Sequence, residues 1–413
     1  AYEAVNNDVN DYQQTFNQFE IEHQLANNEH FSSHLALSYL RTDINAHLQV
    51  LAPGALTTIS APASQAPFLS KAIFKVQNFR ANLANDWTIN NNSSVQFGVS
   101  LLKNEEIKAR SFSNYNLLQL LNKEFPVTYF GEVTFEAPLS LEDSQTASGV
   151  YAQYLHQFNA DTRINIGARY DYYNDFGGHT SPRIGLIHQL DKQNTLKILY
   201  GEAFRAPALS ELGVINTPLT LGNQNLTYEC IKTWELIWHS EWHHTAASLD
   251  VFHSRYSNPI SVGFIGNVRQ SVNSQNDHTS GIELEASQEF LQHWLLRATY
   301  THLFELPAAS FREADNFASL MLNFKQQKLN WNIAAIYQAQ RFTQEQVNIL
   351  QPLPAFWMAD SKLSYEFSDA YKVNLKIKNL FDKEFSTPAL SAGLVKGIPH
   401  RGREWSVGLE WNY

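Results

Sequence analysis

The chain has 413 residues and a formal net charge of −10, with 44% hydrophobic, 13% aromatic and 17% charged residues and a single Cys. An acidic balance argues against a nucleic-acid surface, which needs a basic face, and one Cys leaves no internal disulfide. No run approaches ~18 apolar residues, so no helix crosses a membrane, whereas a slightly negative mean hydropathy remains compatible with a barrel, whose strands are only half apolar.

Period-two alternation predicts strands over 14–26, 29–41, 71–85, 93–103, 147–160, 162–174, 180–190, 194–204, 229–242, 244–264, 268–290, 293–306, 313–325, 328–341, 354–367, 371–381 and 403–413. The pattern is cleanest where Ile164, Ile166, Ala168, Tyr170 and Tyr172 oppose Arg163, Asn165, Gly167, Arg169 and Asp171. Further on, Ile282, Leu284 and Ala286 oppose Glu283 and Glu285, and Trp357, Ala359, Leu363 and Tyr365 oppose Asp360, Lys362, Ser364 and Glu366. The last strand sets Trp405, Val407, Leu409, Trp411 and Tyr413 against Ser406, Gly408, Glu410 and Asn412. Strands of soluble sandwiches average about five or six residues; these reach about ten, the length needed to cross a bilayer at a tilt.

The connections alternate in length. Short ones fall at Asn27-Asn28, Asp161, 191–193, His243, Gln292, Gln326-Gln327 and 368–370, and long ones at 42–70, 104–146, 205–228, 342–353 and 382–402. Sorting of loops by parity is the signature of an outer-membrane barrel, with tight periplasmic turns and long extracellular loops. The expected fold is therefore all-β, a transmembrane antiparallel barrel showing about 17 strands. Aromatics near strand ends (Tyr172, Tyr173, Trp242, Trp294, Tyr300, Trp331, Trp405 and Trp411) fit interfacial girdles or, equally, an ordinary core. Counted back from the last strand, the first visible strand runs inward. An odd count that begins outside carries the expectation that an N-terminal part is absent.

Three segments carry a family resemblance. Phe204-Arg205-Ala206-Pro207 followed by Glu211 resembles the Ala-Phe-Arg-Ala-Pro box of TonB-dependent outer-membrane receptors. The segment with Asn223, Asn225 and Glu229 resembles the box that follows it. Asn379-Leu380-Phe381-Asp382, a loop with Arg401, and the aromatic-ended strand from Trp405 to Tyr413 resemble their C-terminal signature. The resemblance implies about 22 strands around an N-terminal plug, so residues 1–413 are expected to be the C-terminal part of such a barrel, with the plug and first strands not present. It also implies a Gram-negative outer-membrane location, energy from the TonB–ExbB–ExbD complex through the plug, and a terminal strand read by the outer-membrane assembly machinery. Contacts to membrane lipid and lipopolysaccharide follow from the same reading. Gln224 and Tyr228 stand where the family usually carries Pro, which predicts a looser loop.

The expected function is import of a ferric siderophore or similar chelate; cobalamin or haem import, a passive pore and a barrel enzyme are the competing readings. Residues 208–221 contain no His, which weighs against haem. An anionic chelate suits cations beside aromatics. The candidates in the long loops are Arg110, Phe112, Tyr115, Tyr129, Arg269, Arg312, Arg341, His400 and Arg401, with solvated charges or lipopolysaccharide contacts as the plain alternative. Arg205 is read as structural, pairing with Glu211 or Glu229 to pin a loop base. Cys230 has no partner motif around it, His239, His243 and His244 lack metal-site spacing, and no catalytic motif, cofactor or metal is implied.

Overall fold

The computed structural model describes residues 10–217, 220–265, 268–307, 310–346, 349–389 and 396–411. Its 18-stranded sheet contains one short flap, Phe135–Pro138, and 17 long wall strands. In chain order the wall opens with β1 (Asp11–Asn27), β2 (Phe31–Leu51), β3 (Phe68–Asn90), β4 (Ser93–Ser113), β5 (Ser144–Gln157) and β6 (Thr162–Tyr173). It continues with β7 (Gly177–Gln189), β8 (Asn194–Arg205), β9 (Glu229–Trp242), β10 (Thr245–Ser257), β11 (Asp277–Phe290) and β12 (Trp294–Glu305). It ends with β13 (Asn316–Gln326), β14 (Leu329–Gln338), β15 (Phe356–Ser368), β16 (Tyr371–Lys378) and β17 (Glu404–Trp411). Each pairs antiparallel with its predecessor, a pure meander. Among the described residues no ladder joins β17 to β1, so these two strands are the sheet's edges.

Register puts apolar side chains on one continuous face. Val99 pairs with Val150 and Val150 with Tyr170; Leu236 pairs with Val251 and Val251 with Ile282. Val99, Val150, Tyr170, Leu236, Val251 and Trp234 are all exposed, as a lipid-facing surface is in the absence of lipid. The opposite face is polar and hydrogen-bonded: Arg169 Nε donates to Asp171 at 2.7 Å and its Nη2 to Ser100 at 2.6 Å, and Thr233 and Ser254 share a bond of 2.9 Å. Tyr172, Trp242, Trp331, Trp405 and Trp411 are exposed on the wall, whereas Tyr173 packs against Phe204 at 5.9 Å.

The strands outrun their predicted ends at the long-loop side. β2 reaches Leu51 and β4 reaches Ser113, so Arg110 and Phe112 sit on a strand and not in a loop. Two segments read as single strands, 244–264 and 268–290, are interrupted; between them rises a separate hairpin, Ile260–Ile265 with Val268–Asn273. At the same end, β6 and β7 are joined by only Asn174, Asp175 and Phe176.

The loops fold on one another above that low turn. Segment 52–67 pairs with 127–129 through Val127 N–H to Ile59 O (2.7 Å) and Tyr129 N–H to Ala61 O (3.1 Å). The 114–143 loop, with helix α1 (Leu117–Asn122), joins the 206–228 loop through Leu141 N–H to Gly213 O and Ile215 N–H to Leu139 O, both 3.0 Å. That second loop, with the short helix α2 (Leu209–Gly213), joins the hairpin through Leu221 N–H to Arg269 O and Ser271 N–H to Leu221 O, again at 3.0 Å. A small apolar core of Leu56, Phe68, Tyr115, Leu117 and Val127 holds the first of these contacts.

Candidate functional site

Arg205 ends β8 where the chain leaves the wall. Its Nε donates to Glu229 Oε1 at 2.6 Å, and its Nη1 and Nη2 donate to Glu211 at 2.8 and 3.1 Å. Both carboxylates hold backbone in turn: Glu211 accepts the Ala208 N–H (2.8 Å) and Glu229 the Ile260 N–H (2.7 Å). Arg205 thus ties the wall, α2 and the hairpin into one node; a planar fork with five donors suits this better than a point charge. Pro207 is fully buried and its carbonyl accepts from Gln145 at 3.1 Å, while Ala206 lies between. The loop is fastened despite lacking the expected prolines. Asn223 Nδ2 donates to Ser271 O at 3.0 Å, Asn225 N–H to Asn223 at 2.9 Å, and Tyr228 packs on Phe204 at 5.9 Å.

The C-terminal motif is a second clamp. Asn379 and Asp382 have φ of 50° and 55°, a left-handed region that Asn and Asp tolerate better than most residues. Asn379 accepts the Lys383 N–H (2.8 Å), donates back to the Lys383 carbonyl (2.9 Å), and its own N–H reaches Asp360 at 2.9 Å. Leu380 N–H bonds to Ala359 O at 2.6 Å, and Asp382 accepts the Arg403 N–H at 2.7 Å. Phe381 is exposed. Trp405, Val407, Leu409 and Trp411 project together from β17, all exposed; Tyr413 lies outside the described residues.

The predicted ligand residues separate into four groups. Tyr115, expected to meet ligand, is instead 0% exposed inside the loop core, and half-buried Tyr129 packs on it in a tilted arrangement at 4.8 Å. Arg110 is engaged by Glu142 and lies 3.5 Å from Glu136, and Phe112 sits opposite Glu136 in the ladder to the flap. Arg269 is exposed on the hairpin, Arg312 covers Phe311 at 5.3 Å, and Arg401 is 90% exposed and bonded to Glu404 at 3.2 Å.

Arg341 and His400 belong to one assembly. His400 stacks on Phe385 at 4.4 Å, Phe385 on Phe356 at 4.2 Å, and the Arg341 guanidinium covers Phe356 at 5.5 Å. Arg341 is 4% exposed; Nη2 donates to Ser386 O at 3.2 Å, while Nε is buried without a partner. Burial holds its pKa below the ordinary arginine value. Beside the column opens a cleft of about 610 Å³ lined by Phe356, Lys383, Glu384, Phe385, Lys396 and His400. Phe356 and Phe385 were not visible as site residues in the sequence, because their partners come from four separate segments. A third grouping unites His179, Glu202 and Cys230, the one set of three potential metal donors brought together among the described residues.

The family profile described as "TonB dependent receptor-like, beta-barrel" matches residues 2–380. The iron-regulated outer membrane virulence protein of Vibrio cholerae is 25% identical over 284 residues, covering 60% of this chain and 42% of that protein. The vitamin B12 transporter BtuB of the same organism is 24% identical over 267 residues, covering 60% and 40%. The chain therefore spans about two-fifths of the length of these curated relatives. The crystal structure of the siderophore receptor PirA from Acinetobacter baumannii superposes with a TM-score of 0.72 at 14% identity, covering 97% of this chain and 63% of that one, a likeness of fold. Matching wall, loop parity and family profile together show that the chain belongs to the TonB-dependent receptor β-barrel family of the Gram-negative outer membrane.

Proposed function

We propose that the protein imports a ferric siderophore or similar anionic iron chelate, with energy delivered by the TonB–ExbB–ExbD complex through a plug domain of the kind such receptors carry. The observation that supports this is the His400–Phe385–Phe356–Arg341 column beside the 610 Å³ cleft. Aromatic faces with a guanidinium packed behind them suit a negatively charged chelate, since cation and π contacts gain strength away from water. Lys383 and Lys396 line the cleft together with Asp382 and Glu384. One relative is iron-regulated and one structural neighbour is a siderophore receptor, while another relative is a vitamin B12 transporter, which is why cobalamin is included in the test. Transport, not catalysis, is the activity of this arrangement.

The test is intrinsic tryptophan quenching on the purified receptor with a ferric tricatecholate, a ferric hydroxamate and cobalamin. Saturable quenching by a ferric chelate, weakened in Phe385→Ala and His400→Ala, is expected. Quenching by cobalamin alone, or equal affinity in both variants, would reject the proposal.

A further inference from the structure

The wall has a split between β7 and β8. Their ladder runs from Gln189↔Thr195 to Arg183↔Gly201 and stops. Yet β7 continues to Gly177 on its other side, paired with β6, and β8 continues to Arg205, paired with β9. Pro182 stands at the break and has no N–H to donate. Above it, strand pairing brings together three side chains from three strands: His179 of β7, Glu202 of β8 and Cys230 of β9.

Their geometry is that of a ligand set. Cys230 Sγ donates to Glu202 Oε1 at 3.3 Å, and His179 Nε2 lies 3.5 Å from the same oxygen. All three donor atoms fall within 4.8 Å of one another. A tetrahedral centre with bonds of about 2.0–2.3 Å sets its donors roughly 3.3–3.8 Å apart, close to this spacing. The other carboxylate oxygen is already occupied: Lys232 Nζ lies 3.2 Å and the Tyr200 hydroxyl 3.3 Å from Glu202 Oε2. These two contacts turn Oε1 toward the thiol and the imidazole, the role outer partners play around metal ligands. The His179 ring is wedged by Phe204 at 4.7 Å and Tyr228 at 4.8 Å, and its Nε2 is enclosed with no hydrogen-bond partner. An orphaned ring nitrogen aimed at a carboxylate and a thiol is what a ligand would satisfy. A cavity of about 360 Å³ lined by Phe204, Arg205, Glu229 and Cys230 lies beside the thiol.

We propose that His179, Glu202 and Cys230 form a resident site for a borderline divalent transition metal of the zinc class, which rivets β7 to β8 and β9 where backbone pairing fails. Mixed N, O and S donors suit such an ion, whereas calcium and magnesium take oxygen alone. Binding exchanges the thiol proton, now directed at Glu202, for the metal: the S–H bond breaks, the proton leaves to solvent, and the thiolate and carboxylate neutralise the dication. Water completes the fourth position. This rivet is independent of which cargo the receptor carries.

Cobalt(II) titration of the protein purified from outer membranes tests it. Cys230 is the one cysteine of this chain, and loss of the thiolate-to-cobalt charge-transfer band in Cys230→Ser assigns that band to this site. The expected result is one equivalent of Co²⁺ bound with that band, displaced by Zn²⁺, with about one proton released per metal. The band disappears in Cys230→Ser, and Zn²⁺ affinity falls at least ~10-fold in His179→Gln. A readout on unmutated protein guards against misfolded variants: Zn²⁺ slows alkylation of Cys230. Absence of the band at stoichiometric Co²⁺, a band unchanged in His179→Gln, or alkylation indifferent to Zn²⁺ would each overturn the proposal.

Discussion

Replacing Arg205 by Ala removes three charge-assisted hydrogen bonds and releases two carboxylates that each hold a backbone N–H. A buried bond of this type contributes about 1.5–3 kcal/mol, but an exposed ion pair contributes only about 0.2–1 kcal/mol. Arg205 is 45% exposed and its partners 26% and 27%, so the node as a whole is placed between these limits, at about 1–2 kcal/mol. That corresponds to about a 5–30-fold change in a local opening equilibrium. Because the node fastens a loop and not the wall, the loss should be local. Hydrogen exchange resolved by residue is the assay: the Ala208 and Ile260 amides should exchange about 5–30-fold faster in Arg205→Ala, with amides of mid-wall β8 unchanged. Arg205→Lys keeps the charge but not the fork and should fall between. Unaltered exchange at Ala208 and Ile260 would show that Arg205 does not hold the loop.

Other perturbations follow from the same geometry. Tyr115→Ala empties the loop core and should cost about 3 kcal/mol locally, seen as faster proteolysis within 114–143; equal resistance would contradict the burial. Asn379→Ala loses the bonds to Lys383 and places Ala in a left-handed conformation, at about 1–2 kcal/mol for the latter alone, and should raise the mobility of a spin label at Lys383. The Asp191 carboxylate in the β7–β8 turn accepts the Gln193 N–H at 2.8 Å, then bonds from Asn194, and these hold its pKa below the ordinary value. A depressed folded value means the turn's stabilisation is complete above the ordinary carboxylate range and is lost as pH falls through the depressed one. The Gln193 and Asn194 amides should lose protection on acidification after correction for intrinsic exchange, and Asp191→Asn should abolish that dependence.

The wall was legible because one face of each strand meets lipid and the other a polar interior, and a two-sided environment writes period two into the chain. That signal fades where both faces are wet, which is why the upper parts of β2 and β4 read as loop. The interruption at Asn258-Pro259 carried a turn signal that the flanking alternation masked. At the sites, residues within one motif could be read: Arg205 lies close to Glu211, and Asn379 to Lys383. Contacts made by strand pairing could not. Cys230 seemed isolated because His179 and Glu202 reach it only through the ladders, and the aromatic column draws on four distant segments. Tyr115 misled because an aromatic in a long loop can serve the loop's own core as well as a ligand.

The hydrogen-bonded loops divide the upper rim mechanically. Segments 52–67, 114–143, 206–217, 220–228 and the hairpin strands Ile260–Ile265 and Val268–Asn273 are linked by backbone hydrogen bonds. Phe342 N–H bonded to Phe311 O, Ala389 N–H to Thr343 Oγ1, and His400 N–H to Phe385 O link a second set, 310–316, 341–346, 379–389 and 396–403. Among the described residues no backbone bond joins these two sets above the wall, and Glu305 lies 3.3 Å from His278 and 2.7 Å from Ser280. Loops tied by backbone hydrogen bonds within each group should shift together when one of them meets a ligand.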